Sequence, residues 1–445
     1  MNYYIKNADI LNEGMLTRAN VLIENERIKQ VSEDEIILPA DTTVIDAQGK
    51  LLMPGIIDDH VHFREPGLTH KGDMFSESRA AAAGGVTSFM DMPNTLPPTM
   101  SIDDLEHKRE IAEHNSLINY SFYLGASAMN IGEIKKVDPC KVCGIKVFIG
   151  SSTGDLLVDE EKALSAIFAE SPVIIAAHCE DENTIKENIA RYKQKFGDDI
   201  PVEYHSVIRN AEACYKSAAR TVELALRYNS RLHVLHLSTA KETGLFVKST
   251  AGRIPRITAE VCTHHLWFSE KDCKFKGNKI KCNPAIKSEY DREILRNAVK
   301  NGRITVIATD HAPHTIDEKR KKYFNSPSGI PYIQHSLSAM LEMHKQGVFS
   351  LFDIVERMCH CPARIFGIRD RGFIREGYFA DLVLIDLNTG YRPSPENILS
   401  KCRWSPFESV TFSTKVETTW VNGSIVYDNG EIIEAKAARS LEFNR

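Results

Sequence analysis

The stretch Gly55-Ile56-Ile57-Asp58-Asp59-His60-Val61-His62 is a short apolar run that closes on two histidines. Four later runs share this design. Gly144-Ile145-Lys146-Val147-Phe148-Ile149 carries a lysine, Val173-Ile174-Ile175-Ala176-Ala177-His178 and Leu232-His233-Val234-Leu235-His236 end in histidine, and Ile304-Thr305-Val306-Ile307-Ala308-Thr309-Asp310 ends in aspartate. Short apolar runs separated by helix-patterned stretches predict parallel strands of an α/β fold. A (β/α)8 barrel builds its site from the C-terminal ends of such strands. One polar residue there carries little weight. His60, His62, Lys146, His178, His236 and Asp310 on successive strands predict a metal site assembled by a barrel.

The rest of the chain fits that frame. Its 445 residues suit one barrel of roughly 250–320 residues plus a smaller unit. The stretch up to residue 53 holds short apolar or alternating runs, Tyr3-Tyr4-Ile5, Ile10-Leu11, Val21-Leu22-Ile23 and Thr43-Val44-Ile45 among them, split by turns such as Asn12-Glu13-Gly14. The C-terminal end is also β-patterned, with Asn422-Gly423 as a hairpin signal between two strands. We therefore expect residues 1–53 and 372–445 to pair into a small β-sandwich, with a TIM-like barrel over 54–371 inserted between them. Within the barrel, residues 76–83 and 211–228 have helical patterns, the first stopped by Gly84-Gly85.

Composition narrows the function. Hydrophobic residues make up 42% and charged residues 26%, the balance of a globular protein, and the net charge of −5 offers no electrostatic reason to expect nucleic acid or an anionic membrane as partner. No apolar stretch is long enough for a bilayer, and Met1-Asn2-Tyr3-Tyr4-Ile5-Lys6 is no secretory signal. Ten scattered cysteines fit a reducing cytoplasm. The one C-x-x-C, at Cys140 and Cys143, lacks the second pair that a zinc knuckle needs, so buried free thiols are expected.

Each candidate ligand also has an ordinary explanation. His60 and His62, two apart on a strand, point to one face and can share a metal, although a lone histidine is more often a satisfied core residue. His178 and His236 add a second imidazole pair, which suits Zn²⁺. Lys146 lies inside an apolar strand, where an ammonium is costly. It either snorkels to the barrel mouth or stays neutral enough to react with CO2, giving a carbamate able to bridge two metals. Asp155 is the fallback bridging carboxylate. Asp310 can bind metal and take a proton, or merely cap a helix. Arg64 is placed to grip a substrate carboxylate, or to form a surface ion pair. Asn94 and Asn283, in loops, can supply amide hydrogen bonds or serve as turn residues. Residues 315–328, rich in Lys and Arg, are the candidate mobile segment near the site.

Together, Asp58-x-His60-Val61-His62-Phe63-Arg64-Glu65-Pro66-Gly67 and Ala308-Thr309-Asp310-His311-Ala312-Pro313-His314 resemble the two hallmark motifs of the dihydroorotase family, in the amidohydrolase superfamily. The resemblance extends through Met92-Pro93-Asn94-Thr95, Ala177-His178-Cys179-Glu180, Val234-Leu235-His236-Leu237-Ser238-Thr239, Glu260-Val261-Cys262-Thr263-His264-His265-Leu266 and Gly377-x-x-Ala380-Asp381-Leu382-Val383. It favours the longer, sandwich-bearing type. It implies a binuclear zinc centre, with His60, His62 and Asp310 on the more buried ion, His178 and His236 on the other, and carboxylated Lys146 and a hydroxide as bridges. It implies that Arg64, Asn94 and His314 hold the substrate carboxylate and Asn283 the ring. The implied reaction is reversible hydrolysis of L-dihydroorotate to N-carbamoyl-L-aspartate in pyrimidine biosynthesis, by a cytoplasmic homodimer, with aspartate transcarbamoylase as a further partner. Allantoinases share the Glu-Pro-Gly segment but lack an arginine at the Arg64 position, and hydantoinases differ after H-x-H. Ser328-Gly329-Ile330-Pro331-Tyr332 departs from the family's usual glycine-rich loop. A scaffold paralogue is the rival of a different class; retention of all six candidate ligands speaks against it.

Overall fold

The computed structural model describes residues 1–150, 156–158, 160–249 and 253–445. Asp155, the fallback bridging residue, lies outside the described residues. In chain order the strands are β1 (Asn2–Asn12), β2 (Met15–Glu24), β3 (Arg27–Ser32), β4 (Thr42–Asp46), β5 (Leu51–Pro54), β6 (Ile56–Val61), β7 (Val86–Asp91), β8 (Asn119–Gly125), β9 (Gly144–Ile149), β10 (Ile175–Cys179), β11 (Leu232–Val234), β12 (Ile257–Cys262), β13 (Val306–Ala308), β14 (Leu382–Asp386), β15 (Lys415–Val421), β16 (Ser424–Asp428) and β17 (Glu431–Ile432).

Strands β6 to β13 form one parallel sheet in sequence order. A bridge between Val61 and His311 brings its two edges together, so the sheet curls into a barrel. Each strand is buried on both faces, which explains the continuous apolar runs in the sequence. The helix Met74–Ala83 starts on a capping box from Asp73 and ends at Gly84, and the helix Ala211–Arg227 buries one apolar stripe.

The two chain ends share a second, nine-stranded sheet, in which β5 pairs in parallel with β1 and antiparallel with β14. The two short runs 3–5 and 10–11 belong to a single strand, because a bulge between Ile5 and Ala8 lets pairing with β2 continue. This sheet is bound to the barrel by a buried polar network. Arg371 pairs with Asp381 and donates to Asn422 Oδ1 at 2.7 Å, and Asn422 Nδ2 reaches Asn119 of β8 at 2.7 Å. Between β14 and β15 the chain leaves the sheet and covers the barrel, where Trp404 Nε1 donates to the His314 carbonyl at 2.8 Å. All ten cysteines are free thiols, and Cys140 is the exposed member of the C-x-x-C.

Candidate active site

Ten residues singled out by sequence reading line a single cavity of about 490 Å³ at the C-terminal ends of the barrel strands. They are His60, His62, Arg64, Asn94, Lys146, His178, His236, Asn283, Asp310 and His314. His60 lies in β6, with His62 just beyond it; Lys146 and His178 lie in β9 and β10; His236 and Asp310 stand two residues past β11 and β13. Arg64, His236 and Asp310 have φ of 71°, 37° and 50°, the left-handed region that bulky side chains avoid. Such backbone persists where surrounding structure over-determines it, and here it aims three side chains into one cavity.

Hydrogen bonds on the far side of each ring orient the histidines. His60 Nδ1 lies 2.6 Å from Glu260 Oε1, and His62 Nδ1 lies 2.7 Å from Asn94 Oδ1. Both contacts place the proton on Nδ1 and leave Nε2 as a lone-pair donor. Those two Nε2 atoms converge on Asp310 Oδ1, at 3.3 and 3.0 Å. The ligand atoms of His60, His62 and Asp310 all fall within 4.8 Å of one another, as one metal ion requires. On the opposite wall, His178 gives Nε2 to Glu180 at 3.1 Å, and its Nδ1 faces His236 Nε2 at 2.9 Å. Two imidazole nitrogens aimed at one another across a cavity edge are the candidate second ligand pair.

The electrostatics of these residues suit metal ligands. Burial pushes His62 down to about 4, and lowers His178 and, further, His236, so these rings are neutral, the form that binds metal. Burial lowers His60, but Glu260 and Asp310 outweigh it and raise this ring; burial raises Asp310, but His60 and the His62 hydrogen bond outweigh it and hold the carboxyl well below the usual range. Lys146 is 1% exposed, and burial pulls its amine down to about 8. Roughly a tenth of the amine is then neutral at pH 7, the form that reacts with CO2. The donor set therefore fits two divalent cations of borderline softness.

Across the cavity, Arg64 is 7% exposed, and its guanidinium is steadied by an Nε–H donation to the Pro313 carbonyl at 3.1 Å. Its Nη2 lies 3.1 Å from His314 Nε2, and Lys71 Nζ lies 3.1 Å from His314 Nδ1. Asn283 meets His205 Nε2 at 3.1 Å. Residues 315–328 reach the cavity through Phe324, Ser326, Pro327 and Ser328. Gly329 at φ 146° closes this wall; a Cβ there would sit 2.6 Å from the Ala312 carbonyl.

Several participants escaped sequence reading. Glu260, inside β12, orients His60 and also accepts from the His236 amide at 3.0 Å. Glu180 joins His178 to Arg209. His311, next to Asp310, turns away from the cavity to Glu77, 2.8 Å from its Nε2. Lys71, seven residues past Arg64, has no motif to mark it.

Comparison with known proteins gives the family. The Amidohydrolase family matches residues 51–426. A dihydroorotase of Methanosarcina acetivorans is 32% identical, with 99% of this chain and 97% of that protein aligned. An allantoinase of Streptomyces avermitilis is 30% identical over 94% of each chain. The solved L-hydantoinase (dihydropyrimidinase) of Arthrobacter aurescens superposes with a TM-score of 0.92 at 26% identity, covering 99% of both chains. The chain belongs to the amidohydrolase family.

Proposed function

We propose that the protein is a dihydroorotase, which opens the cyclic amide of L-dihydroorotate to N-carbamoyl-L-aspartate and closes it again in pyrimidine biosynthesis. The observation that carries this reading is Arg64: a buried guanidinium, fixed through Nε, at the rim of a cavity shared with six metal-ligand candidates. A buried guanidinium beside a catalytic site calls for an anionic ligand. A ring carboxylate supplies one; an uncharged hydantoin ring does not.

His60, His62 and Asp310 would hold one zinc ion, His178 and His236 a second, and Lys146 as its carbamate would serve both. Two such ions supply Lewis acidity, which polarises a carbonyl and acidifies a water. Arg64 and Asn94 bind the ring carboxylate, with His314 seated against Arg64, and so orient the amide over Asp310, while Asn283 meets the ring. As water adds to the carbonyl carbon, the Asp310 carboxylate takes its proton. The carbon–nitrogen bond then breaks, and Asp310 returns that proton to the leaving ring nitrogen. In cyclisation the same carboxylate carries the proton the other way. The barrel, 54–371, performs this chemistry, and the paired ends 1–53 and 372–445 brace it.

Among the described residues, no helix is long and apolar enough to cross a membrane. A cytoplasmic homodimer, with aspartate transcarbamoylase as a possible associate, completes the proposal.

The test is metal analysis combined with cyclisation of N-carbamoyl-L-aspartate at mildly acidic pH. Two zinc ions per chain and formation of dihydroorotate are expected; a metal-loaded protein that forms none overturns the assignment.

A further inference from the structure

Residues 320–329 contain no helix or strand, yet they supply one wall of the cavity. What holds this wall is two buried lysines. Lys319, 2% exposed, donates from Nζ to the carbonyls of Lys281, Pro327 and Gly329, at 3.1, 2.9 and 2.9 Å. Lys281, 6% exposed, donates to the carbonyls of Tyr323 and Ser326, at 2.5 and 2.6 Å. An ammonium has three protons and no acceptor, so Lys319 spends all three on backbone carbonyls. Burying two cations next to each other is costly, and burial pulls Lys281 to about 8 and Lys319 to about 7. A wall needing only to be covered could use apolar side chains. Charge-assisted bonds to five carbonyls instead set the direction of each peptide group.

One of those peptide groups faces the substrate machinery. The Ser328 carbonyl lies 3.1 Å from His314 Nε2. A carbonyl only accepts, so Nε2 carries the proton, and Nδ1 is left to accept from Lys71. With Nε2 protonated, Arg64 Nη2 has no lone pair to bind on that ring, and its N–H is available to an anion in the cavity.

We propose that Lys281 and Lys319 are positioning residues: together they build the 323–329 wall and, through the Ser328 carbonyl, hold His314 in the tautomer that leaves Arg64 open to the substrate carboxylate. The kinetic part rests on the dihydroorotase reading; the structural part does not.

The test uses the full-length, metal-loaded protein with Lys319→Ala, and Lys281→Ala as the second variant. Removing Lys319 leaves three carbonyls around a gap of ammonium size, so added ammonium or methylammonium should refill it. Expected are amide exchange faster within 320–329 than in the barrel strands, unchanged metal content, and KM for L-dihydroorotate raised about tenfold with kcat nearly retained, as loss of about one charge-assisted bond to substrate predicts. Ammonium should restore both KM and exchange protection in Lys319→Ala. Parental exchange and KM in both variants overturn the proposal. So does faster exchange spread evenly over the barrel without response to ammonium, the mark of a merely structural lysine. If the parent protein turns over a different ring, the dihydroorotase reading fails, while exchange and ammonium rescue still decide the role of the lysines.

Discussion

Replacing Arg64 with methionine isolates the interaction on which substrate choice depends. The variant keeps most of the aliphatic stem, so the packing around a residue 7% exposed is largely preserved, and it deletes the Nε donation to Pro313 with the charge. The guanidinium can offer a carboxylate two charge-assisted hydrogen bonds, each worth roughly 1.5 kcal/mol net. Their joint loss, about 3 kcal/mol, corresponds to roughly a hundredfold loss in kcat/KM. The carboxylate is remote from the bond that breaks, so the loss should fall on KM, with kcat changed only a few-fold. Steady-state kinetics on L-dihydroorotate and on dihydrouracil, the same ring without the carboxylate, separate binding from general damage. Selective loss on dihydroorotate is expected. An unchanged KM, or equal losses on both rings, refutes the reasoning.

Asp310→Asn should retain metal yet lose about 10²–10⁴ in kcat, the range for a general acid–base group; substantial residual turnover removes Asp310 from the proton path. Asn94→Ala frees His62 Nδ1, now 2.7 Å from the amide oxygen, and should weaken metal binding by about 10–100-fold in a chelator competition. Arg371→Met strands the buried Asp381 carboxylate between the two sheets and should cost about 3–5 kcal/mol in urea unfolding; a loss below about 1 kcal/mol shows the network to be dispensable. Burial raises Glu180, but Arg209 and His178 outweigh it and bring it to about 2 from 4.5. The folded carboxyl is thus the stronger acid, so its stabilisation of about 3 kcal/mol is complete above pH 4.5 and is lost as pH falls towards 2. Glu180→Gln should flatten that acid limb in pH-dependent unfolding, and an identical limb in both proteins contradicts the assignment.

The barrel and the residues that line its cavity were legible because two signals coincide. Apolar runs buried on both faces mark parallel strands, and His60, His178, His236 and Asp310 mark the ends that face the site. Glu260 was not legible in the same way: it lies within the apolar stretch of β12, and only the fold brings it to His60. Lys281 and Lys319 carried the opposite signal. They fall in segments rich in lysine and arginine, which read as solvated, whereas backbone carbonyls distant in sequence enclose both. Segment 315–328 drew attention as a mobile loop for that reason, and the structure shows it tied to the cavity wall. The pairing of the chain ends followed from their β-patterned composition. The excursion that carries Trp404 to His314 had no periodic pattern to announce it.

The central claim, that this cavity takes a ring bearing a carboxylate, is tested most directly by kcat/KM of the zinc-reconstituted protein on L-dihydroorotate beside allantoin and an unsubstituted hydantoin. The account predicts turnover of dihydroorotate and little or none of the other two. Preferred turnover of either uncharged ring would keep the metal site and contradict the role given to Arg64.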